Sequence, residues 1–411
     1  MGKGATLRDD GTRQWSLFDG ANPLKITKPL RLIELFAGIG AQAKALENLG
    51  VKFEHYRICE FDKYAVASYN AVHGTNFTTS DITQIHAADL GIVETDKYEY
   101  IMTYSFPCTD LSKAGKKQGM SRDSGTRSGL LWEVERLLKE TKELPQILLM
   151  ENVPDVLSEK NSADFFAWCR FLEGLGYTSK YAILNAKDFG IPQNRERCFM
   201  LSWFGDFHYD FPQAKPLTVR LKDFLEPSVD EKYYLYEKTI KYFIQHTQES
   251  IEKGNGFRFE PTDGNVVGKT ITTRAGSRPD DNFIKCEHIA QLEGDFEMAN
   301  RVYSPEGLCP TIRTMQGGGS EPKILEDFYK NRKPREYKEV SPTLRSERDG
   351  QKIIEGIRVR KLTPKECWRL MGFDDESFSR AKKRVSNSQL YKQAGNSIVV
   401  DVLMAIFKNL F

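Results

Sequence analysis

Residues 32–40 read Leu32-Ile33-Glu34-Leu35-Phe36-Ala37-Gly38-Ile39-Gly40. The apolar first half predicts a short buried β-strand, and the pattern from Gln42 to Leu49 predicts a helix after the glycine turn. Glycines let the backbone approach a ligand closely, and a helix N-terminus can bind an anionic group. Because plain tight turns share this motif with nucleotide-binding proteins, it predicts a strand–turn–helix unit and leaves the ligand open.

Strands and helices continue to alternate through the first half of the chain. Further strand-like apolar runs cover residues 53–58, 98–104, 146–150, 182–184 and 197–202, and helical patterns cover 64–72 and 130–139. Short strands that alternate with helices are typical of a mostly parallel sheet with helices on both faces. This part of the chain therefore predicts an α/β domain.

After about Pro212 the pattern changes. Turn residues become more frequent, and short threonine-rich pieces lie at 270–273, 311–314 and 343–346. These pieces predict hairpins in a small, mostly β domain. Helical character returns at residues 363–366, where Thr-Pro-Lys-Glu has the pattern of an N-cap and a helix start, and residues 398–410 predict a final amphipathic helix.

Composition narrows the function classes only slightly. A length of 411 residues favours two domains, and we expect a cytoplasmic protein because no apolar run could cross a bilayer and no signal peptide is evident. The seven cysteines form no CxxC pair, and Cys286 with His288 lacks a second pair at ligand spacing, so we expect reduced thiols and no metal site. The net charge of +2 leaves nucleic-acid binding open, since phosphate contacts need only one basic face.

Five motifs follow one another in a fixed order. They are Phe36-Ala37-Gly38-Ile39-Gly40, Ser105-Phe106-Pro107-Cys108, Glu151-Asn152-Val153, Gln193-Asn194-Arg195-Glu196-Arg197 and Gly395-Asn396-Ser397. This ordered set resembles the DNA (cytosine-5) methyltransferase family, from about Leu32 to Leu410. The resemblance implies an α/β, Rossmann-like S-adenosylmethionine-dependent methyltransferase domain with a smaller, mostly β target recognition domain. It divides the chain into an N-terminal extension (1–28), a catalytic domain (29–212, completed by 374–411) and a target recognition domain (213–373).

An S-adenosylmethionine site is implied by the residues that match the family. Glu60 lies about twenty residues after the glycine turn, where Rossmann-like folds place a ribose-binding carboxylate, although a solvated strand-end carboxylate is the alternative. By resemblance, the glycine turn holds the methionine part, Glu60 the ribose, and Asp81 and Ile82, after a third candidate strand, the adenine. The product is S-adenosylhomocysteine. The remaining cofactor residues implied are Phe36 against the adenine, with Ala37, Gly38, Ile39, Gly40, Phe61, Pro107, Leu130, Asn396 and Ser397.

Cys108 is the candidate nucleophile. Carbon 5 of cytosine is a poor nucleophile, and addition of a thiolate to carbon 6 makes it reactive by splitting one hard step into two easier ones. A buried inert thiol is the alternative for Cys108. Glu151 follows an apolar strand, and a protonated carboxyl there would hydrogen-bond N3 and the exocyclic amine if burial raised its pKa.

Arg195 and Arg197 alternate with polar neighbours, so we expect both side chains on one face of a strand. The resemblance gives Arg197 a contact with O2 of the target base. Arg195 is grouped with the catalytic residues, with a structural ion pair as its alternative. The family commonly has glutamine after the Pro-Cys pair, whereas this chain has Thr109, which puts contacts of the following loop in doubt.

Double-stranded DNA is the implied substrate. Because carbon 6 is inaccessible inside a duplex, the base must be flipped into a pocket. The loop from about Ser112 to Gly129 is similar to the family's mobile catalytic loop, although a solvated basic loop is the alternative. The DNA-binding candidates are Ser112, Lys116, Arg122 and Arg127 in this loop, and Arg301 and Thr311 in the target recognition region, where Arg301 either reads a base or holds a phosphate.

The favoured function is therefore that of a bacterial or phage modification enzyme of the restriction-modification type. We expect a monomer in the cytoplasm, with a companion restriction endonuclease as a possible partner. An RNA cytosine methyltransferase is a second hypothesis, which the long recognition region disfavours. A catalytically silent DNA-binding relative is a third, against which Cys108, Glu151 and Arg197 argue. A nicotinamide oxidoreductase is a fourth, which leaves three of the motifs unexplained.

Overall fold

The structure is a computed structural model that describes residues 22–107, 127–254, 258–292, 301–303, 323–324 and 353–411, with two short strands before residue 15. Side chains are described for 22–107, 128–236, 238–254, 258–286 and 359–411. The strands are β1 (Thr6–Leu7), β2 (Arg13–Gln14), β3 (Asn22–Pro23), β4 (Leu30–Leu35), β5 (Phe53–Cys59), β6 (Glu99–Tyr104), β7 (Ile147–Asn152), β8 (Thr178–Asn185), β9 (Gln193–Asn194), β10 (Glu196–Trp203), β11 (Phe207–His208), β12 (Gly268–Lys269), β13 (Phe283–Leu292), β14 (Arg301–Tyr303), β15 (Lys323–Ile324) and β16 (Ile353–Lys361). The helices are α1 (Ala41–Asn48), α2 (Lys63–His73), α3 (Ala87–Leu90), α4 (Leu131–Glu140), α5 (Glu159–Gly174), α6 (Glu237–Glu252), α7 (Pro364–Arg369), α8 (Asp375–Lys382), α9 (Asn387–Asn396) and α10 (Val400–Lys408).

The described chain divides into two compact units. Unit 1 comprises Met1–Arg220, Val267–Arg274 and Cys367–Phe411, and unit 2 comprises Leu221–Val266 and Ala275–Glu366. The chain therefore leaves unit 1 and returns to it twice.

Unit 1 is built on a six-stranded sheet in the order β5-β4-β6-β7-β10-β8. Strands β5, β4, β6 and β7 are parallel, and β10 is antiparallel to both of its neighbours. The first four strands alternate with helices along the chain, as parallel pairing requires a crossover. The prediction of a mostly parallel α/β sheet is confirmed.

The core of unit 1 lies between this sheet and its helices. Strand β6 contributes buried residues to it, and Tyr104 at its end accepts a hydrogen bond of 3.0 Å from the indole of Trp168 on α5. Phe165, Trp168 and Leu172 repeat at helical spacing and are fully buried, so α5 presents one apolar stripe to the sheet. No helical pattern had been assigned to this segment from the sequence.

The predicted strands and helices of the first half are confirmed, with ends that differ by a few residues. Two predictions are wrong. Residues 270–273 form no strand, since β12 ends at Lys269, and no strand separates α2 from Asp81. The final helix is α10, which packs against α1, and Tyr209 donates a hydrogen bond of 2.8 Å to the Ile406 carbonyl. The end of the chain thus completes unit 1.

Unit 2 contains a four-stranded sheet in the order β15-β14-β13-β16, together with the 16-residue helix α6. The helix start expected at Thr363 is confirmed by a capping box. The Thr363 amide donates to the Glu366 carboxylate at 2.8 Å, and the Glu366 amide donates to the Thr363 hydroxyl at 3.2 Å. Arg360 forms a buried ion pair with the same carboxylate at 2.9 Å.

No helix within the described ranges combines the length and the apolar character that crossing a membrane requires.

Candidate functional site

Three neighbouring parallel strands of unit 1 end at the same edge of the sheet. The last residue of β4, Leu35, is paired with Cys59 of β5 and with Tyr104 of β6. The segments that follow these strands therefore start side by side. They are the glycine turn (residues 36–40), the Glu60-Phe61 pair and residues 105–107, and the carboxyl edge of a parallel sheet is the usual place for a ligand.

The glycine turn has an unusual backbone. Phe36 has a φ of 58°, which a bulky L-residue rarely adopts, and Gly38 and Gly40 also have positive φ. The Ala37 amide donates to the Cys59 carbonyl at 3.2 Å, and the Gly38 amide donates to a carboxylate oxygen of Glu60 at 2.9 Å. Strained backbone of this kind is concentrated at ligand sites, and here the end of β5 holds it in place.

The Glu60 carboxylate accepts a second backbone hydrogen bond, from the Asp62 amide at 2.8 Å. Burial raises the pKa of Glu60, and the hydrogen bonds from Asp62 and Gly38 partly oppose this effect. Next to it, the Phe61 ring is 76% exposed. A large exposed aromatic ring beside a half-buried carboxylate fits the stacking and hydrogen bonding of a nucleoside.

Asp81 and Ile82 lie in a turn rather than at a strand end. The Asp81 carboxylate accepts hydrogen bonds from the amide and the hydroxyl of Thr83, at 2.9 and 2.8 Å, and the Ile82 side chain is buried in the core. The position of Asp81 is therefore set by an Asx turn. Asp81 nevertheless lies near Glu60 in the fold, since the amide of the preceding residue, Ser80, donates to the Glu60 carbonyl at 3.0 Å.

Glu151 and Arg197 form an ion pair across neighbouring strands. Strands β7 and β10 are antiparallel, with Glu151 opposite Phe199, and the Arg197 Nε lies 3.1 Å from the Glu151 Oε1. Burial raises the pKa of Glu151, and the positive charges of Arg197 and Arg195 oppose this effect. Because its pKa is raised, the Glu151 carboxyl takes up a proton at a higher pH than the carboxyl of an ordinary glutamate does.

The end of β6 is joined to the end of β7 by a side-chain amide. Asn152 donates a hydrogen bond of 3.0 Å to the Phe106 carbonyl, and Ser128 donates one of 2.8 Å to the Pro107 carbonyl. Leu130 follows in a 3₁₀ helix and packs against the core. Residues 105–107 are thus anchored from two sides, directly before Cys108.

Several sequence-predicted residues lie outside the described residues. These are Cys108, Thr109, Ser112, Lys116, Arg122 and Thr311. Arg127 begins the 3₁₀ helix and Arg301 begins β14, but neither side chain is among those described.

Arg195 makes its hydrogen bonds outside the Glu151–Arg197 pair. It stands between β9 and β10, and its buried guanidinium donates to the carbonyls of Ile271, Gly395 and Ser397 at 3.1, 2.9 and 2.7 Å. We call this arrangement the Arg195 cluster. The sequence predicts that Arg195 and Arg197 alternate along one strand. In the structure, β9 ends at Asn194 and β10 begins at Glu196, so Arg195 lies between the two strands.

The Gly-Asn-Ser motif is part of the same cluster. A Cβ at Gly395 would lie 2.3 Å from the Thr273 amide nitrogen, so only glycine fits against that backbone. Ser397 is buried, whereas the Asn396 side chain is exposed. The motif therefore brings α9 close to residues 272–273.

Gln193 is a structural residue that the sequence analysis did not single out. Its amide donates to the Leu370 carbonyl at 2.7 Å and accepts from the Ile271 amide at 2.9 Å. The side chain is fully buried. The signal that could have identified it is its place at the start of the Gln-Asn-Arg-Glu-Arg motif.

A family model of C-5 cytosine-specific DNA methylases matches residues 30–411. An orphan methyltransferase of Bacillus phage SPbeta is 31% identical over 93% of this chain and 97% of its own length. A type II methyltransferase of Lactococcus lactis subsp. cremoris is 31% identical over 93% of this chain and 99% of its own length.

Solved structures show the same fold at lower identity. The Dnmt2 methyltransferase of S. pombe superposes with a TM-score of 0.60 at 20% identity, covering 93% of this chain and 98% of that chain. The methyltransferase EhMeth of Entamoeba histolytica gives a TM-score of 0.61 at 16% identity, covering 94% and 98% respectively.

Proposed function

The chain belongs to the C-5 cytosine-specific DNA methylase family and is a DNA cytosine methyltransferase, and from this premise we propose that it methylates carbon 5 of a flipped-out cytosine in duplex DNA, with S-adenosylmethionine as methyl donor and Cys108 as nucleophile. The observation that carries the proposal is the Glu151–Arg197 pair at 3.1 Å, at the end of the strand next to the one that leads into Cys108. This pair supports the proposal because β7 neighbours β6, the strand that precedes residues 105–107 and, after them in the sequence, the proposed nucleophile.

The described residues fit S-adenosylmethionine. Each Glu60 oxygen accepts one backbone amide, which leaves lone pairs for the ribose hydroxyls, and the exposed Phe61 ring offers a stacking surface. We assign the glycine turn to the methionine part, and Asp81 and Ile82 to the adenine. When bound, the cofactor supplies an electrophilic methyl group on a sulfonium. Phe36, Pro107, Leu130, Asn396 and Ser397 complete the proposed site.

The protein's own groups prepare the base. The Cys108 thiolate adds to carbon 6, forming a carbon–sulfur bond and pushing the electron pair of the ring double bond toward carbon 5 and N3. A protonated Glu151 donates a hydrogen bond to N3, where the negative charge develops, and Arg197 donates to O2. Loss of the carbon 5 proton after methylation restores the double bond and releases the thiolate.

The DNA contacts follow from the same proposal. The target base leaves the stack to reach Cys108, and basic residues of the following loop, Lys116, Arg122 and Arg127, neutralise phosphates together with a contact from Ser112. Arg301 and Thr311 contact the recognised site.

Bisulfite sequencing of DNA from cells that express the protein tests this function, with Cys108→Ser as the control. We expect methylated cytosines in one sequence context with the wild type and none with the variant. A fully active Cys108→Ser variant would contradict the nucleophile. If both DNA samples are unmethylated, transfer of labelled methyl groups to duplex DNA and to tRNA in vitro separates an RNA methyltransferase from a silent DNA-binding protein.

Glu60→Ala tests the cofactor site. The variant loses the ribose contact and the support of the Gly38 amide, so we expect S-adenosylmethionine to bind about tenfold or more weakly by calorimetry, in line with one lost charged hydrogen bond. Glu54→Ala, at an exposed glutamate on β5, the strand that ends just before Glu60, is the matched control. Unchanged affinity in Glu60→Ala would place the ribose contact elsewhere.

A further inference from the structure

Three side chains with no role in the proposed function meet behind the glycine turn. They are Glu47 at the end of α1, His55 on β5 and His73 at the end of α2. The Glu47 Oε1 lies 2.6 Å from the His73 Nδ1 and 3.6 Å from the His55 Nε2, and all three donor atoms lie within 4.8 Å of one another. Two imidazoles and a carboxylate are a donor set that zinc binds.

The hydrogen bonds on the far sides of both rings determine which nitrogens face Glu47. The His73 Nε2 lies 3.2 Å from the Ile39 carbonyl, which can only accept, so this nitrogen carries a proton. The His55 Nδ1 lies 3.1 Å from the Tyr69 hydroxyl, which donates its own proton to Glu34, so the His55 Nδ1 donates to it. The His55 Nε2 and the His73 Nδ1 are therefore the nitrogens that face the Glu47 carboxylate.

We propose that Glu47, His55 and His73 bind a divalent transition-metal ion of the zinc class, through Oε1, Nε2 and Nδ1. Histidine ligands of metals usually donate their other ring N–H to a carbonyl, a carboxylate or a similar acceptor, which fixes the ring orientation. Both histidines have such an acceptor before any ion is bound. This preorganisation distinguishes the cluster from a chance group of polar residues.

The spacing of the donor atoms suits the ion. Zinc–ligand bonds of about 2.0–2.1 Å place tetrahedral donor atoms roughly 3.3 Å apart. The Oε1–Nε2 distance of 3.6 Å is close to this, and the Oε1–Nδ1 distance of 2.6 Å has to widen as the ion takes the place of the shared proton. A water molecule would occupy the fourth position, as in sites with three protein ligands.

Two of the three side chains are partly exposed to solvent. The His73 side chain is fully buried, whereas those of His55 and Glu47 are 20% and 31% exposed, so an ion can enter past the latter two. Lys44 lies beside the cluster, with its Nζ 3.8 Å from the Glu47 Oε2. The Lys44 ammonium lies closer to Asp374, at 2.6 Å, so its main ion pair is with that carboxylate and not with Glu47.

Metal titration of the full-length protein tests the site. After chelator treatment, we expect the wild type to bind one equivalent of Zn²⁺ in competition with a chromophoric chelator. His55→Gln and Glu47→Gln should each weaken binding by about tenfold or more, since each removes one ligand. His86→Gln is the matched control, because His86 is an exposed histidine that also faces a glutamate, at 3.3 Å, and it should bind as the wild type does.

Cobalt substitution shows which atoms bind. Co²⁺ at this site should give visible absorption without the near-ultraviolet band of a thiolate ligand. Circular dichroism of each variant with chelator present verifies that it is folded. No stoichiometric Zn²⁺ binding, a thiolate band, or full affinity in His55→Gln and Glu47→Gln would overturn the proposal. Because the readout is metal binding, its failure is distinguishable from a failure of methyl transfer.

Discussion

Arg195 and Arg197 are two residues apart in the chain but lie in different environments. The Arg195 guanidinium is buried and donates to three backbone carbonyls that are distant in the chain, whereas Arg197 is 16% exposed, faces the Glu151 carboxylate and donates to the Glu196 carbonyl at 2.7 Å. Backbone carbonyls are fixed parts of the fold, and a carboxyl with a raised pKa can exchange its proton. The comparison teaches that two arginines of one motif can have different partners, and this difference predicts a structural role for Arg195 and a chemical one for Arg197.

We also expect the two arginines to contribute differently to the free energy of unfolding. Buried carbonyls that lose their donor retain the full cost of desolvation, so the Arg195 cluster contributes to the stability of unit 1. The Glu151–Arg197 pair adds less, because its carboxyl can take up a proton when the guanidinium is absent. The predictions below test this division.

Arg195→Ala should have the largest effect. The variant leaves three carbonyls without their donor, so we expect the free energy of unfolding to fall by about 3–5 kcal/mol in urea denaturation. Arg220→Ala, an exposed arginine that donates to the carbonyls of Leu217 and Val219 close by in the chain, is the control. A stable but inactive Arg195→Ala protein would return Arg195 to the catalytic group.

Arg197→Ala should lower the activity strongly and change the stability little. Loss of one donor to the developing charge typically costs about 10²–10³-fold in kcat, while the free energy of unfolding should change by about 1 kcal/mol or less. Methyl transfer to DNA and urea denaturation measure the two quantities. Glu196→Ala, its exposed neighbour, should leave both near the wild-type values. If Arg197→Ala unfolds like Arg195→Ala, the two arginines do not differ in role.

Gly395→Ala tests the close approach in the Arg195 cluster. The added Cβ would overlap the backbone at residues 272–273, and overpacking of this kind costs about 1–3 kcal/mol. Gly174→Ala at the end of α5, where a Cβ meets no neighbour within 4 Å, is the matched control and should be neutral or stabilising. Equal thermal unfolding of the two variants would contradict the close contact.

The smallest effect concerns pH. The pKa of Glu151 is raised above its ordinary value of 4.5, so the folded state holds this proton more tightly than the unfolded state does. Its contribution to stability is therefore present below pH 4.5 and is lost as the pH rises through the raised pKa. Unfolding free energies of the wild type and Glu151→Gln should converge at acidic pH and separate above it, with the variant more stable. Parallel curves at all pH values would show an unperturbed carboxyl.

Local patterns predicted much of the fold. The apolar run of β4, the glycine turn and the period of α1 were readable from residues 32–49, because strand and helix periods involve only near neighbours. Helix α5 was missed although Phe165, Trp168 and Leu172 share one face, since most of the residues between them are apolar as well and obscure the helical period. Residues 270–273 were mistaken for a strand because threonine favours strands, whereas here the Ile271 amide donates to Gln193 instead of to a neighbouring strand.

The sequence by itself determined the order of the motifs, the alternating α/β pattern and the family, since each follows from residue type and local spacing. Only the tertiary structure decided that Arg195 belongs to a structural cluster, that Glu60 supports the glycine turn, and that His55 and His73 converge on Glu47. The partners of Arg195 lie 76, 200 and 202 residues away along the chain. Such contacts depend on how strands and helices pack in space, and the spacing of residues along the chain does not determine that packing.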